Sequence, residues 1–203
     1  MEAVSDALSP TRMVAGVEVP AVGVWQIDPD HTYVGFSARR LGVSWVRGCF
    51  TSLAGHVDVA EDPSQSSVEA IISTASVDSG SPDRDERLRA AENLDVARHP
   101  TAVFRSTDTR WDGRSGRMTG QLTLVGVTNT VELQIAYRGT VVDPWGAQRS
   151  VFSAEGVIDR EDWGLTWNVT LDRGGLLVSR QVRVEIDVET VRCAPRVAEE
   201  RPT

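Results

Sequence analysis

The sequence contains no lysine; all 21 basic residues are arginine. This excludes Schiff-base catalysis by lysine and any phosphate loop built on one. Cysteine is nearly absent, with Cys49 and Cys193 only, too few for a disulfide framework. Both read as free thiols of a reducing compartment. The three histidines, His31, His56 and His99, lie far apart, with no His or Cys partner at metal-ligand spacing, so no metal site is expected. No Gly-x-Ser-x-Gly elbow occurs, and no glycine-rich loop leads into a helix to cradle phosphate. No apolar run reaches the roughly 18 residues of a membrane helix. The N-terminus carries Glu2 and Asp6 where a secretory signal needs basic residues. A cytoplasmic protein is the expectation.

What is present is ordinary globular material. The chain has 203 residues, 40% of them hydrophobic, and a net charge of −8. One domain accounts for that length, and the acidic balance gives nucleic acid no basic footprint. Residues 1–23, with Pro10, Gly16, Pro20 and Gly23, read as a flexible leader, 24–192 as the folded unit and 193–203 as a tail.

The dominant period is two. In Val182–Glu189, Val182, Val184, Ile186 and Val188 share one face while Arg183, Glu185, Asp187 and Glu189 share the other. That is a strand with one dry side. Val131–Tyr137, Met118–Leu124 and Val68–Ser76 follow the pattern, and further strands are predicted at Thr32–Arg39, Ser44–Leu53, Ala102–Trp111 and Val151–Asp159. Asp83–Glu92 breaks the rhythm as a short helix, with Asp83 as its cap and Glu86 completing a capping box. About eight antiparallel strands with one helical insertion either form a sandwich or close into a barrel, and a closed eight-stranded barrel is able to hold one small ligand.

Chemistry-bearing residues form no constellation. Cys49 alternates with apolar neighbours and reads as a packed thiol. Asp83/Asp85 and Glu161/Asp162 stand among arginines and read as ion-paired surface. The conspicuous content is aromatic, with rings on nearly every strand.

Several segments, in this order, carry a resemblance. They are Trp25-Gln26-Ile27-Asp28-Pro29-Asp30-His31-Thr32, Phe36–Val43, Val46–Phe50, Arg84–Arg89, His99–Ser106, Gly120–Thr128 and Ile158–Gly164. Together they resemble the YceI-like family of polyisoprenoid-binding proteins from about Trp25 to Arg192. The resemblance implies an all-β, eight-stranded antiparallel lipocalin-like barrel with a short helical insertion. It also implies a hydrophobic pore for a polyprenyl chain, such as a polyprenyl phosphate or an isoprenoid quinone. The role would be that of a carrier, store or sequestering protein, with no catalytic residues and no cofactor. The partner is then a polyisoprenoid lipid. No membrane segment is expected; transient membrane contact and a homodimer, common in the family, are left open. Arg40 stands where the family often has His, and Asn93-Leu94 replaces its aromatic pair after the helix.

The pore wall is expected to include Phe36, Trp45, Phe50, Phe104, Leu122, Leu124, Trp163, Trp167, Val184 and Ile186, with alternation turning some of them outward. An anionic head group must be paired if buried. Without lysine, and with acidic residues around Arg84, the expectation falls on Arg39 or Arg40, which alternation places on opposite faces. Two other readings compete: an enzyme for a small apolar substrate, drawing on Arg84, Asp85, Arg160 and Asp162, and a structural module whose barrel is filled.

Overall fold

Alternating β-branched segments with Gly- and Asp-rich turns leave the chain little choice but sheet. The computed structural model describes residues 9–171 and 175–193. Its strands are β1 (Thr11–Val14), β2 (Val17–Pro20), β3 (Gly23–Ile27), β4 (Tyr33–Arg40), β5 (Ser44–Phe50), β6 (Leu53–Val59), β7 (Ser67–Ser73), β8 (Val77–Asp78), β9 (Thr101–Asp112), β10 (Ser115–Leu124), β11 (Val127–Val142), β12 (Gln148–Asp159) and β13 (Val178–Arg192). The helix α1 spans Pro82–Arg89.

Eight strands close the ring in the order β12-β11-β10-β9-β7-β6-β3-β13, and β13 pairs back onto β12. The pairings are antiparallel throughout. The long β13 binds β3 near Arg192 and β4 near Val178. The chain between β3 and β4 is a short 3-10 turn, Pro29–His31, started by Asp28, whose side chain accepts from the Asp30 amide. Of the two barrel ends, one carries Trp25, Val59, Asp112, Ser115 and Arg192, and the other Arg40, Ser44, Leu124 and Val178. We call them the hairpin end and the helix end.

The hairpin end is covered by β1 and β2, a two-stranded sheet outside the ring. Residues 11–20 of the segment expected to be a flexible leader are therefore a hairpin. Ala15 (φ 49°) and Gly16 (φ 80°) form its two-residue turn, both in the left-handed region that suits the twist of paired strands. Arg12 donates to the Ala60 carbonyl at 2.6 Å, Glu18 pairs with Arg114 at 2.9 Å, and Arg192 donates to the carbonyls of Ser9 and Val22. Residues 1–8 and 194–203 of the expected leader and tail lie outside the described residues.

At the helix end, α1 begins differently from the capping-box expectation. Ser81 is the N-cap and Pro82 takes the first helical position, where its missing N–H costs nothing. Asp83 therefore does not cap, and the helix stops at Arg89 instead of Glu92. Arg89 donates to the carbonyls of Ala75 and Val77, and Asp85 accepts from the Ser79 amide and hydroxyl, so both ends of α1 are tied to the chain around β8. Among the described residues, no helix is long and apolar enough to cross a membrane.

Candidate ligand-binding site

Burial along the strands shows that the barrel is hollow. Outward residues of β13 are mostly exposed, yet inward Val182, Val184, Ile186 and Val188 are only half-buried. In a filled core such side chains would be sealed. The fully buried apolar groups sit in small clusters instead. Trp25 with Ala21, Val57 and Val59 lies under the hairpin, and Met118, Leu133 and Ile135 lie on the β10–β11 wall. Between them is a cavity of about 1100 Å³.

Two glycines keep the bore open. A Cβ on Gly48 would lie 2.5 Å from Phe36 Cζ, and one on Gly120 would lie 2.4 Å from Phe104 Cε2. The far edge of each aromatic ring therefore lies over a bare patch of the neighbouring wall. Phe36 and Phe50 pack at 5.6 Å between ring centroids on the same inner face.

Phe36, Phe50, Phe104, Leu122, Leu124, Trp167, Val184, Ile186 and Arg40 all line the cavity. Trp45, Trp163 and Arg39 do not, and each departure has a local cause. Arg40 pairs with Ser44 across the three-residue turn from β4 to β5, so Arg39 faces Trp45 on the outer wall. The Arg39 guanidinium lies 5.0 Å over the Trp45 ring, and that of Arg183 lies 5.7 Å from it. Trp163 belongs to a 3-10 turn after β12, where strand alternation no longer applies. It is buried, and its Nε1 donates to the Leu122 carbonyl at 3.0 Å.

The wall is apolar through its middle, and charge gathers at the ends. Arg12 lines it at the hairpin end; Arg40, Arg84, Arg87 and Arg160 line it with Asp83 and Glu92 at the helix end. Arg160 Nε donates to the Ser179 carbonyl at 3.2 Å and Nη1 to the Leu165 carbonyl, while its Nη2 is buried without a partner. Burial lowers its pKa from the usual arginine value. Asn93 and Leu94 also line the cavity.

Two of the four residues behind the enzyme reading, Asp85 and Arg160, have their side chains held locally, while Arg84 lines the bore. Asp85 is held by Ser79, Arg160 binds backbone carbonyls, and Asp162 accepts from Asn129 through its main-chain carbonyl, not its carboxylate. Cys49 is half-buried beside Asp78 and Asp85 and is not a lining residue; burial first, and these carboxylates second, push its thiol pKa up. It is a wall thiol, not a core one.

The structure assembles one polar group that spacing along the chain conceals. Asp28, His31 and Glu189 bring their ligand atoms within 4.8 Å of one another. The Arg149 guanidinium occupies that cluster, 2.7 Å from Asp28 Oδ2, 2.6 Å from Glu189 Oε1 and 2.7 Å from Asp143 Oδ2. A fixed cation thus already bridges the carboxylates and locks β12 to β13 and to the Pro29–His31 turn.

A YceI-like domain model matches residues 25–190. The chain belongs to the YceI-like family. Relatives of the YceI-like chain include a UPF0312 protein of Pectobacterium carotovorum, 38% identical over 189 residues that cover 92% of this chain and 95% of the relative. Protein YceI of Salmonella arizonae is 40% identical over 171 residues, 83% of this chain and 86% of the relative. The YceI-like barrel is also similar to solved structures. Burkholderia cenocepacia BcnA has a TM-score of 0.68 at 19% identity, with 80% of this chain and 98% of that one covered. A polyisoprenoid binding domain from Saccharophagus degradans has 0.64 at 15%, covering 83% and 98%. At those identities the likeness is one of fold. The hairpin β1–β2 lies outside the matched YceI-like domain.

Proposed function

We propose that the barrel binds a long-chain polyisoprenoid lipid, of the polyprenyl phosphate or isoprenoid quinone type, as a carrier, store or sequestering protein. The observation that carries this is the hollow bore. About 1100 Å³ lies at the upper limit of the ~300–1000 Å³ of pockets for drug-sized ligands, and an apolar bore running between two charged ends suits a long chain better than a compact metabolite. The name of the Saccharophagus degradans neighbour supports the same ligand class. A tail burying roughly 400–800 Å² at about 25 cal/mol per Å² gains on the order of 10–20 kcal/mol gross. Ordering the tail and losing translational freedom offset much of that, which leaves micromolar to nanomolar affinity.

The tail lies among Phe36, Phe50, Phe104, Leu122, Val184 and Ile186, with Leu124 and Trp167 nearer the helix end. The polar head sits at that end, where Arg40 and Arg160 are among the lining residues. A guanidinium in place of a neutral imidazole suits an anionic head. The test is uptake of detergent-dispersed polyprenol against a saturated straight-chain alcohol of similar length. Saturable uptake of the polyprenol supports the proposal, and equal indifference to both overturns it.

A further inference from the structure

The helix end has an outer surface that the bore does not use. The β4–β5 turn projects Leu41 and Val43 into solvent, Val43 at 84% exposure. Trp45 follows on the outer wall. Beside the turn, the Leu41 amide donates to the Leu177 carbonyl and the Leu177 amide to the Val169 carbonyl, both at 2.9 Å. These bonds join two loops into one rim on which Trp167, Val169 and Leu176 are also exposed. Trp167, Leu177 and Arg40 belong to the bore as well, so the rim borders its mouth.

On the β4–β5 side of this rim, away from Asp83 and Glu92 of the α1 side, charge runs against the chain as a whole. Arg39, Arg40, Arg47 and Arg183 are exposed here and enter no ion pair among the described residues. Arg180 is neutralised by Asp159 and Glu161. Further along the same outer face of β13, Glu185, Asp187 and Glu189 reverse the sign. A protein of net charge −8 thus gathers unpaired guanidinium groups around its exposed Leu, Val and Trp side chains.

We propose that this rim docks the barrel on an anionic lipid bilayer, with Val43 and Trp45 at head-group depth and the bore mouth facing the membrane. Trp prefers that interface, and arginine stems extend along it while their heads meet lipid phosphates. The opposite end makes the contrast. Trp145 is 87% exposed there, but it sits beside Asp143 and the Arg149 cluster, where the carboxylates outnumber the cation. Exposure alone therefore does not choose the docking end; charge does. The biological sense of docking rests on the lipid-binding reading, but its measurement does not.

The full chain is sedimented with phosphatidylcholine vesicles with and without phosphatidylglycerol. Binding is expected only to the anionic vesicles and falls as salt is raised, because the attraction fades within a Debye length. Arg39→Gln combined with Arg183→Gln weakens it roughly thirtyfold, at about fivefold per guanidinium. Val43→Asp, which changes an 84% exposed side chain, abolishes it, and Trp145→Ala leaves it unchanged. The proposal is overturned if anionic vesicles leave the protein in solution, if the Val43 and arginine variants bind like the parent, or if Trp145→Ala is the change that matters. Light scattering that shows dimers broken by Val43→Asp, without vesicle binding, would assign the rim to a second copy instead. Polyprenol uptake is measured on the same samples. Sedimentation without uptake would sink lipid carriage and spare docking, and uptake without sedimentation would do the reverse.

Discussion

Phe104 occupies the space that a side chain on Gly120 would need, with its Cε2 and Cζ both 2.4 Å from the position of a Cβ there. The two residues lie on adjacent strands of the inner wall, and the bare glycine makes room for the edge of the ring. Gly120→Ala should push Phe104 into the bore. We expect a loss of about 1–3 kcal/mol of stability from overpacking, together with weaker polyprenol uptake. Melting curves and lipid titration check both. An alanine variant with parental uptake would show that the bore does not depend on this contact.

Inner and outer walls should respond oppositely. Ile186→Asp puts an unpaired carboxylate in the apolar bore and should abolish uptake of detergent-dispersed polyprenol. Trp45→Asp changes only the outer wall and should leave that uptake at the parental level. Reversal of the two results would invert the assignment of faces.

The rim arginine at the bore mouth should read the head group. Arg40→Gln is expected to weaken a polyprenyl phosphate by about 1.5 kcal/mol, the low end for a charge-assisted hydrogen bond because Arg40 is exposed. A neutral polyprenol should be almost unaffected. Titration of the two lipids against parent and variant separates a head-group contact from a general loss of fit.

Acid should weaken the barrel through Arg149. Its hydrogen bonds hold the carboxyls of Asp28 and Asp143 below their ordinary range. Depressed carboxyl values give stability that is present above the unfolded-state value near pH ~4 and is lost as pH falls through the folded-state value. Arg149→Gln should therefore be less stable than the parent at neutral pH, and the gap should narrow as pH drops from about 5 towards 2. Urea midpoints across that range measure it. A gap that is constant with pH would mean that these carboxylates are not the linked groups.

Much of this architecture was written in the alternation of the chain. Val182–Glu189 and Val131–Tyr137 announce long strands with one dry face, and those faces line the bore or its buried wall. The hairpin over Thr11–Pro20 was harder to read, because each strand is four residues long and Pro20 looks like a breaker. The signal that could have revealed it is Ala15-Gly16 between two valines, a two-residue turn flanked by β-branched residues. Wall assignments failed where register, not pattern, decides. Trp45 and Phe50 are an odd number of residues apart on one strand, so they cannot both face inward; only the β4–β5 turn tells which one does. The Arg149 cluster draws on four separate segments, and no local spacing predicts it.

The central claim, that this bore holds a polyisoprenoid lipid, is tested most directly by organic extraction of the purified protein followed by mass spectrometry. The account predicts a prenyl lipid recovered in proportion to protein from the parent and lost from Ile186→Asp. A clean extract from the parent, together with no uptake of added polyprenyl lipids, would contradict it.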